Sequence, residues 1–469
     1  MRSRRTCSRD RLSKLEDASH LRREIGLWQG TALNVIDMVG IGPFVTLPLI
    51  LAAMGGGRAL GAWLLGALLA VCDGLVTAEL AATLPRAGGS YAFLNEAYGP
   101  ARWGRLVSFL FLFQIVFSAP LSMASGAIGF SRYLRFIFPQ IPDGWEAPVA
   151  SLLCVAVTLL LCRRIGAIGK LSVVLWVGVL ATLGIVIALG LPHLKWEAFR
   201  FWAAPVETAS GLPAPSGAFG GLGAALILAV YDYLGYYNIC YLAEEVKEPT
   251  RTIPRVIVVS ILLVAVLYIL MNVSILSVLP AKEAMASKAT VSDFVSAVAG
   301  RPLAQGVTVL ILWTAFASVF SLTLGYSRIL WAAARDGNFF RPFSRLHPTE
   351  GYPLVALFAL GGAAALFSFI DLRKVVMAIL SIRAVIPFIA QIVAALVLRR
   401  RLPDSARPFR MWLYPIPALV ALVLWGFVLF SPEKGLKAAG LVVIGAGTIA
   451  FLVRSRLRGE WPFARATAR

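Results

Sequence analysis

Apolar residues recur in runs long enough to cross a bilayer, which takes about 17–25 residues per helix, and polar residues collect in the gaps between them. The runs fall at 27–54, 59–82, 103–136, 147–162, 167–191, 219–246, 253–279, 302–334, 353–370, 374–398, 412–430 and 436–453. The pattern predicts an all-α membrane protein with twelve transmembrane helices. Two of the runs are interrupted. Val39-Gly40-Ile41-Gly42-Pro43 breaks the first and Tyr231-Asp232-Tyr233-Leu234-Gly235 breaks the sixth, at matching places in two halves. Backbone freed from a helix in hydrocarbon is costly, so it persists only where it lines a cavity or binds something. Paired interruptions point to the binding site of a secondary transporter.

At the first break, Gly40 and Gly42 let the chain leave helical geometry, and Pro43 suits the start of a second half-helix running Phe44 to Met54. Free amides at the head of that half-helix attract an anion, and the carbonyls ending the half-helix before Gly40 attract a cation. An α-amino acid presents both charges; a simple kink in a packed helix is the alternative. The second break carries Asp232 among Tyr231, Tyr233, Tyr236 and Tyr237. A carboxylate at mid-membrane costs about 2.5–3.5 kcal/mol, so it should face a cavity. There it holds an ammonium with help from the tyrosine rings, carries a coupling proton, pairs with Arg383, or caps the following half-helix. Asp37 raises the same question, and Asp73 reads as a hydrogen-bond partner between helices.

Only 14% of the 469 residues are charged, against about 25% in soluble domains. The net charge of +20 raises nucleic acid as a partner until its distribution is followed. With the N-terminus in the cytoplasm, 30 of the 44 Lys and Arg fall on cytoplasmic segments and helix ends and 12 on external ones, Arg328 and Arg383 lying within helices. That is the positive-inside pattern, and it excludes nucleic-acid binding. Residues 1–26 form a charged cytoplasmic tail with no apolar stretch of a cleaved signal. Both termini are expected in the cytoplasm of a multi-pass cell (inner) membrane protein. The external connection 192–218 and the segment 280–300 read as caps over an outward vestibule or as plain connectors. Scattered cysteines and three histidines give no disulfide framework, no metal site, no cofactor and no nucleophile–base pair of an enzyme.

Three further stretches carry a resemblance. They are Pro85-Arg86-Ala87-Gly88-Gly89-Ser90-Tyr91 after Glu79-Leu80 and before Glu96-Ala97-Tyr98-Gly99; Glu244-Glu245-Val246-Lys247-Glu248-Pro249 with Arg251 and Ile253-Pro254; and Ser327-Arg328-Ile329-Leu330 with Ala334-Arg335-Asp336-Gly337 and His347-Pro348. In order and spacing the chain resembles the amino acid-polyamine-organocation transporter superfamily, of the amino acid permease type, from about residue 25 to 400.

The resemblance implies the leucine-transporter-type five-plus-five inverted repeat, with helices 1 and 6 broken. The first repeat takes 27–191 and the second 219–399, with two further helices in 400–453 and a cytoplasmic tail at 454–469. It also implies a coupling role for Lys170, which matches a lysine on helix 5 that stands at a sodium position in relatives. Bulky Ile41 departs from the Ser or Ala of many members, and Gly42-Pro43-Phe44 with Asp232 looks closer to the polyamine-uptake branch. The reading is a secondary transporter moving amino acids by alternating access, proton-coupled or exchanging. Its substrate site comprises Gly40, Ile41, Gly42, Pro43, Tyr231, Asp232, Tyr233 and Gly235, with Lys170 and Asp37 for coupling. Uptake of a polyamine or other organic cation is the second reading, and a channel or membrane enzyme comes from a different class. The partners implied are a small-molecule substrate, the lipid bilayer and a coupling proton.

Overall fold

The computed structural model describes residues 21–54, 58–194, 221–287, 289–370, 375, 384–403, 407–431 and 434–461. Among these residues there is no β-strand, only helices and two isolated bridges. Continuous apolar sequence favours this outcome, because in hydrocarbon a helix satisfies every backbone group within its own segment.

The first run is two half-helices, α1 (Leu27–Met38) and α2 (Gly42–Met54), bent by 41° at the break. After them come α3 (Ala59–Thr83), the short α4 (Ser90–Ala97), α5 (Gly104–Ile137), α6 (Glu146–Leu160) and α7 (Ile165–Gly190). The second interrupted run is α8 (Leu222–Tyr233) followed by the single turn α9 (Asn238–Tyr241). Then follow α10 (Pro249–Val278), α11 (Ala281–Ala286), α12 (Thr290–Ala299), α13 (Arg301–Arg335), α14 (Leu354–Phe367), α15 (Gln391–Arg401), α16 (Ile416–Phe430) and α17 (Lys434–Leu457).

Among the described residues, six single helices are long and apolar enough to span, and α1 with α2 makes a seventh. Others predicted as spans are shorter: α6, α8, α14 and α16 have 12–15 residues. Much of the predicted run 374–398, Arg383 included, lies outside the described residues, as do 195–220 of the predicted external loop. The segment 280–300, read as a cap or a connector, carries two short helices, α11 and α12.

The core is built by α5 against α13, α3 against α10, α1 against α7 and α2 against α8. At the end of the bundle that carries the basic loops, Glu24 and Ile25 donate their amides to the Glu245 carbonyl at 2.9 and 3.0 Å, and Lys247 returns one to Ile25 at 2.8 Å. The chain entering α1 is thereby stitched to the chain leaving α9. At the end of α17 and just past it, Arg454 and Arg458 donate to the Gly337 carbonyl at 2.8 and 2.9 Å, and Arg105, donating to Glu460, holds that carboxyl below the usual carboxylate range.

Candidate binding site at the two helix breaks

Val39 ends α1 with non-helical dihedrals (φ −86°, ψ 66°), its amide still bonded to the Val35 carbonyl at 2.7 Å. Helix resumes at Gly42, one residue before the proline. Pro43 thus sits in the first turn of α2, where a missing N–H leaves nothing unsatisfied. Among the described residues the amides of Gly40, Ile41 and Gly42 have no hydrogen-bond partner. The last carbonyl of α1, on Met38, accepts the Tyr268 hydroxyl at 2.7 Å, and the same hydroxyl stands 3.2 Å from the Asp232 carbonyl.

The second break begins later than predicted. Tyr231, Asp232 and Tyr233 remain helical because the Leu234 amide closes the last turn onto the Tyr231 carbonyl at 3.2 Å. The chain then extends at Leu234 (φ −64°, ψ 147°) and turns at Gly235 with φ +123°, a region that only glycine enters readily. A Cβ on Gly235 would lie 2.9 Å from the Met38 nitrogen and 3.0 Å from Asp37. The two breaks therefore touch. Asn34 replaces hydrogen bonds the unwound chain has lost, donating to the Tyr236 carbonyl at 2.5 Å and accepting the Ile239 amide at 3.0 Å. Asn238 in turn donates to Ser321 Oγ at 2.8 Å. Neither asparagine was singled out from the sequence, since one amide in an apolar run carries no pattern.

Where the breaks meet they enclose a cavity of about 50 Å³, counted as space open to the centre of a water molecule. Asp37, Gly40, Ile41 and Gly42 line it from the first break, and Tyr231, Asp232, Gly235 and Tyr237 from the second. α5 supplies Ser122, Ser125 and Gly126, and α13 supplies Ser318, Leu322 and Tyr326. These two walls were not visible in the sequence, because small residues on a membrane helix are ordinary packing surface. Thr46 Oγ1 donates to Asp232 Oδ2 at 2.5 Å, while Asp232 Oδ1 is buried with no partner among the described residues. Asp73 is held away from the cavity, accepting the Tyr236 hydroxyl at 2.5 Å and Trp425 Nε1 at 3.3 Å.

Three expected site residues stand elsewhere. Pro43 is not part of the lining. Tyr233 points to the other side of α8, edge-on to Trp63 at 6.1 Å and beside Tyr268 at 5.3 Å. Lys170 is exposed, on the same stripe of α7 as Ala167, Val174 and Val177, and makes no hydrogen bond or ion pair among the described residues. The residue of α7 that faces the first broken helix is its neighbour Gly169, whose Cβ would meet Gln29 at 3.4 Å. One residue is about 100° on a helix, so the lysine faces outward.

A buried polar cavity bounded by unwound backbone, inside a bundle of apolar helices, defines a membrane transporter. Residues 25–452 match the family described as "Amino acid permease", and the chain belongs to that family, within the superfamily its motifs resemble. It is 26% identical to the Asc-type amino acid transporter 1 of Mus musculus, over 92% of this chain and 81% of that one. The serine/threonine exchanger SteT of Bacillus subtilis is 26% identical over 88% of this chain and 91% of its own. The large neutral amino acids transporter small subunit 2 of Homo sapiens is 27% identical over 91% and 79%. The chain is a secondary amino acid transporter and not an enzyme, and the polyamine reading gains no support from these relatives.

Proposed function

We propose that the protein carries small neutral amino acids across the cell (inner) membrane by alternating access, exchanging one for another or coupling to protons. Twelve spans in a five-plus-five inverted repeat, with both termini and the basic end of the bundle in the cytoplasm, provide the frame. The free amides of Gly40, Ile41 and Gly42 receive the substrate carboxylate; carbonyls of the unwound segments and Asp232 receive its ammonium. Ile41, Tyr231 and Tyr237 border the side chain. Lys170 has no part in this scheme, because it stands on the outer face of α7.

The observation that carries the proposal is the one cavity shared by both breaks, and its size supports the substrate class. A water needs about 10–15 Å³ of such space, so about 50 Å³ suits the few heavy atoms of alanine or serine. A leucine or arginine side chain would need a wall to move. The names of the relatives agree with amino acid carriage, and that of SteT with serine or threonine exchange.

The test is counterflow of labelled serine in liposomes holding the purified full-length chain and excess unlabelled serine. Serine, alanine and threonine should sustain it, and putrescine should not compete. Counterflow with putrescine but not serine would move the protein to polyamines, and conductance without saturable counterflow would make it a channel.

A further inference from the structure

We propose that Asp232 governs the return of the empty carrier. The substrate-free cavity closes only with a proton on Asp232 Oδ1, so net amino acid movement runs against proton movement while exchange needs no proton. The inference rests on the cavity being the amino acid site.

Asp232 lies 2% exposed. One carboxyl oxygen is taken by Thr46, and the other has no partner among the described residues and faces Gly42, where even a methyl group would collide with it. Among the described residues no Lys, Arg or His lines the cavity. Among the described residues, no element packed against this segment brings Asp232 a compensating charge. α2 brings Thr46 and no charged residue; α3 meets the Tyr233 side of α8 through Trp63 and Gly66, its Asp73 being engaged by Tyr236 and Trp425. α10 brings Tyr268, whose hydroxyl is turned to the backbone carbonyls of Met38 and Asp232, while its arginines sit in its first turns. α16 has no charged residue. On the cavity side Tyr231 pairs with Ser125 at 3.1 Å. The remaining ionisable groups among the described residues are Tyr233 and Tyr237 along the same segment, Tyr326 across the cavity, and a second carboxylate, Asp37.

An unpaired buried carboxylate is strongly disfavoured, more so with another acid lining the same cavity. Two species can remove the penalty. A bound amino acid supplies an ammonium, so the loaded carrier closes with Asp232 ionised. In the empty carrier a proton from the open side must bind Oδ1, and it leaves when the cavity opens on the far side and water solvates the carboxylate. One turn of net transport thus moves a zwitterion one way and one proton the other, with no bond but O–H made or broken. The charge state fixes the sign: acidification favours the protonated empty carrier, so net flux is high at low pH. It should fall about tenfold per pH unit once Asp232 ionises.

The experiment uses liposomes loaded with labelled serine and a lumenal pH dye. Lowering external pH should speed serine efflux and acidify the lumen, and serine–serine exchange should move no protons. Protons leaving with serine, or the same pH profile for efflux and exchange, would overturn the inference. Failure of the site reading looks different, as no serine exchange at all. In Asp232→Asn any efflux that remains should be independent of external pH and proton-free. Should that variant be silent, Thr46→Val decides. Loss of the hydroxyl that stabilises the ionised form should move the efflux midpoint to higher pH, and an unchanged midpoint would count against Asp232.

Discussion

Arg328 and Glu245 form a two-pronged ion pair, Nε to Oε2 at 3.1 Å and Nη2 to Oε1 at 3.0 Å, with each side chain 1% exposed. Beside it Arg335 grips Glu244 at 2.7 and 3.0 Å, and Glu244 also accepts the Ala87 amide at 3.2 Å. Gly88 donates to the Tyr241 carbonyl at 3.1 Å. The three stretches by which the sequence resembled its family therefore meet at one place, the basic end of the bundle. They close that end beneath the cavity and do not touch the substrate position.

Removing one partner of such a buried pair leaves the other charge unpaired, which costs about 3–5 kcal/mol, whereas replacing both is far milder. Arg328→Met and Glu245→Gln should each lower the thermal stability of the purified protein sharply. The double variant should recover much of the loss. A double variant as unstable as the sum of the two singles would show that the residues act independently.

Glycine matters for different reasons at the two breaks. Gly235 needs its φ of +123°, and a Cβ there would press on Met38, so Gly235→Ala should strain the contact between the breaks by about 1–3 kcal/mol. Gly42 is helical, and a Cβ there would meet the free oxygen of Asp232. Gly42→Ala should therefore abolish serine-induced thermal stabilisation and also lower the melting temperature of the unliganded protein, because the buried carboxylate must shift. Retained serine stabilisation in Gly42→Ala would remove that wall from the site.

Apolar run length marked where helices lie, though among the described residues only six, or seven with α1 and α2 joined, are long and apolar enough to span, and the Gly and Pro cluster marked the first break, because special backbone leaves a mark on residue type. The second break was placed too early. Asp and Tyr read as polar interruptions, yet both fit the last turn of a helix, and the conformation that stops α8 belongs to Gly235. Side-chain direction was not legible in the same way. Lys170 and Gly169 are neighbours in sequence but face opposite environments on α7, and no motif reports rotation about a helix axis. The serines of α5 and α13 reach the cavity through packing alone.

That rotation has a consequence for transport. With Lys170 on the outer face of its helix near the basic end of the bundle, its amine can reach the interface along its stem. Lys170→Ala should keep serine exchange and its pH profile. Loss of exchange with normal insertion would place the lysine in the coupling machinery that the family resemblance implied.

Orientation is open to a direct measurement. Glu283 in α11 and Thr349 before α14 are both exposed, and they fall on opposite sides if basic segments face the cytoplasm. Cysteines placed at each position in a variant lacking the native ones should react differently with an impermeant maleimide on intact cells. Glu283→Cys should label and Thr349→Cys should not, and the reverse pattern would invert the protein.

Ile41 offers the sharpest test of substrate size. It is 3% exposed, lines the cavity, and lies so close to α5 that a Cβ on Gly129 would stand 2.5 Å from its Cγ1. The side chain thus fills space between the first break and α5 that a larger substrate would need. Truncation removes three carbons from a buried site, which should cost about 2–5 kcal/mol of stability and leave a pocket beside the substrate. One methylene changes discrimination in an apolar pocket by about 1–3 kcal/mol. Ile41→Ala should therefore raise the ability of leucine to compete with labelled serine by at least about tenfold, with little change for alanine. If leucine remains excluded while serine exchange persists, another wall sets the limit, and Tyr231 and Tyr237 become the residues to shorten.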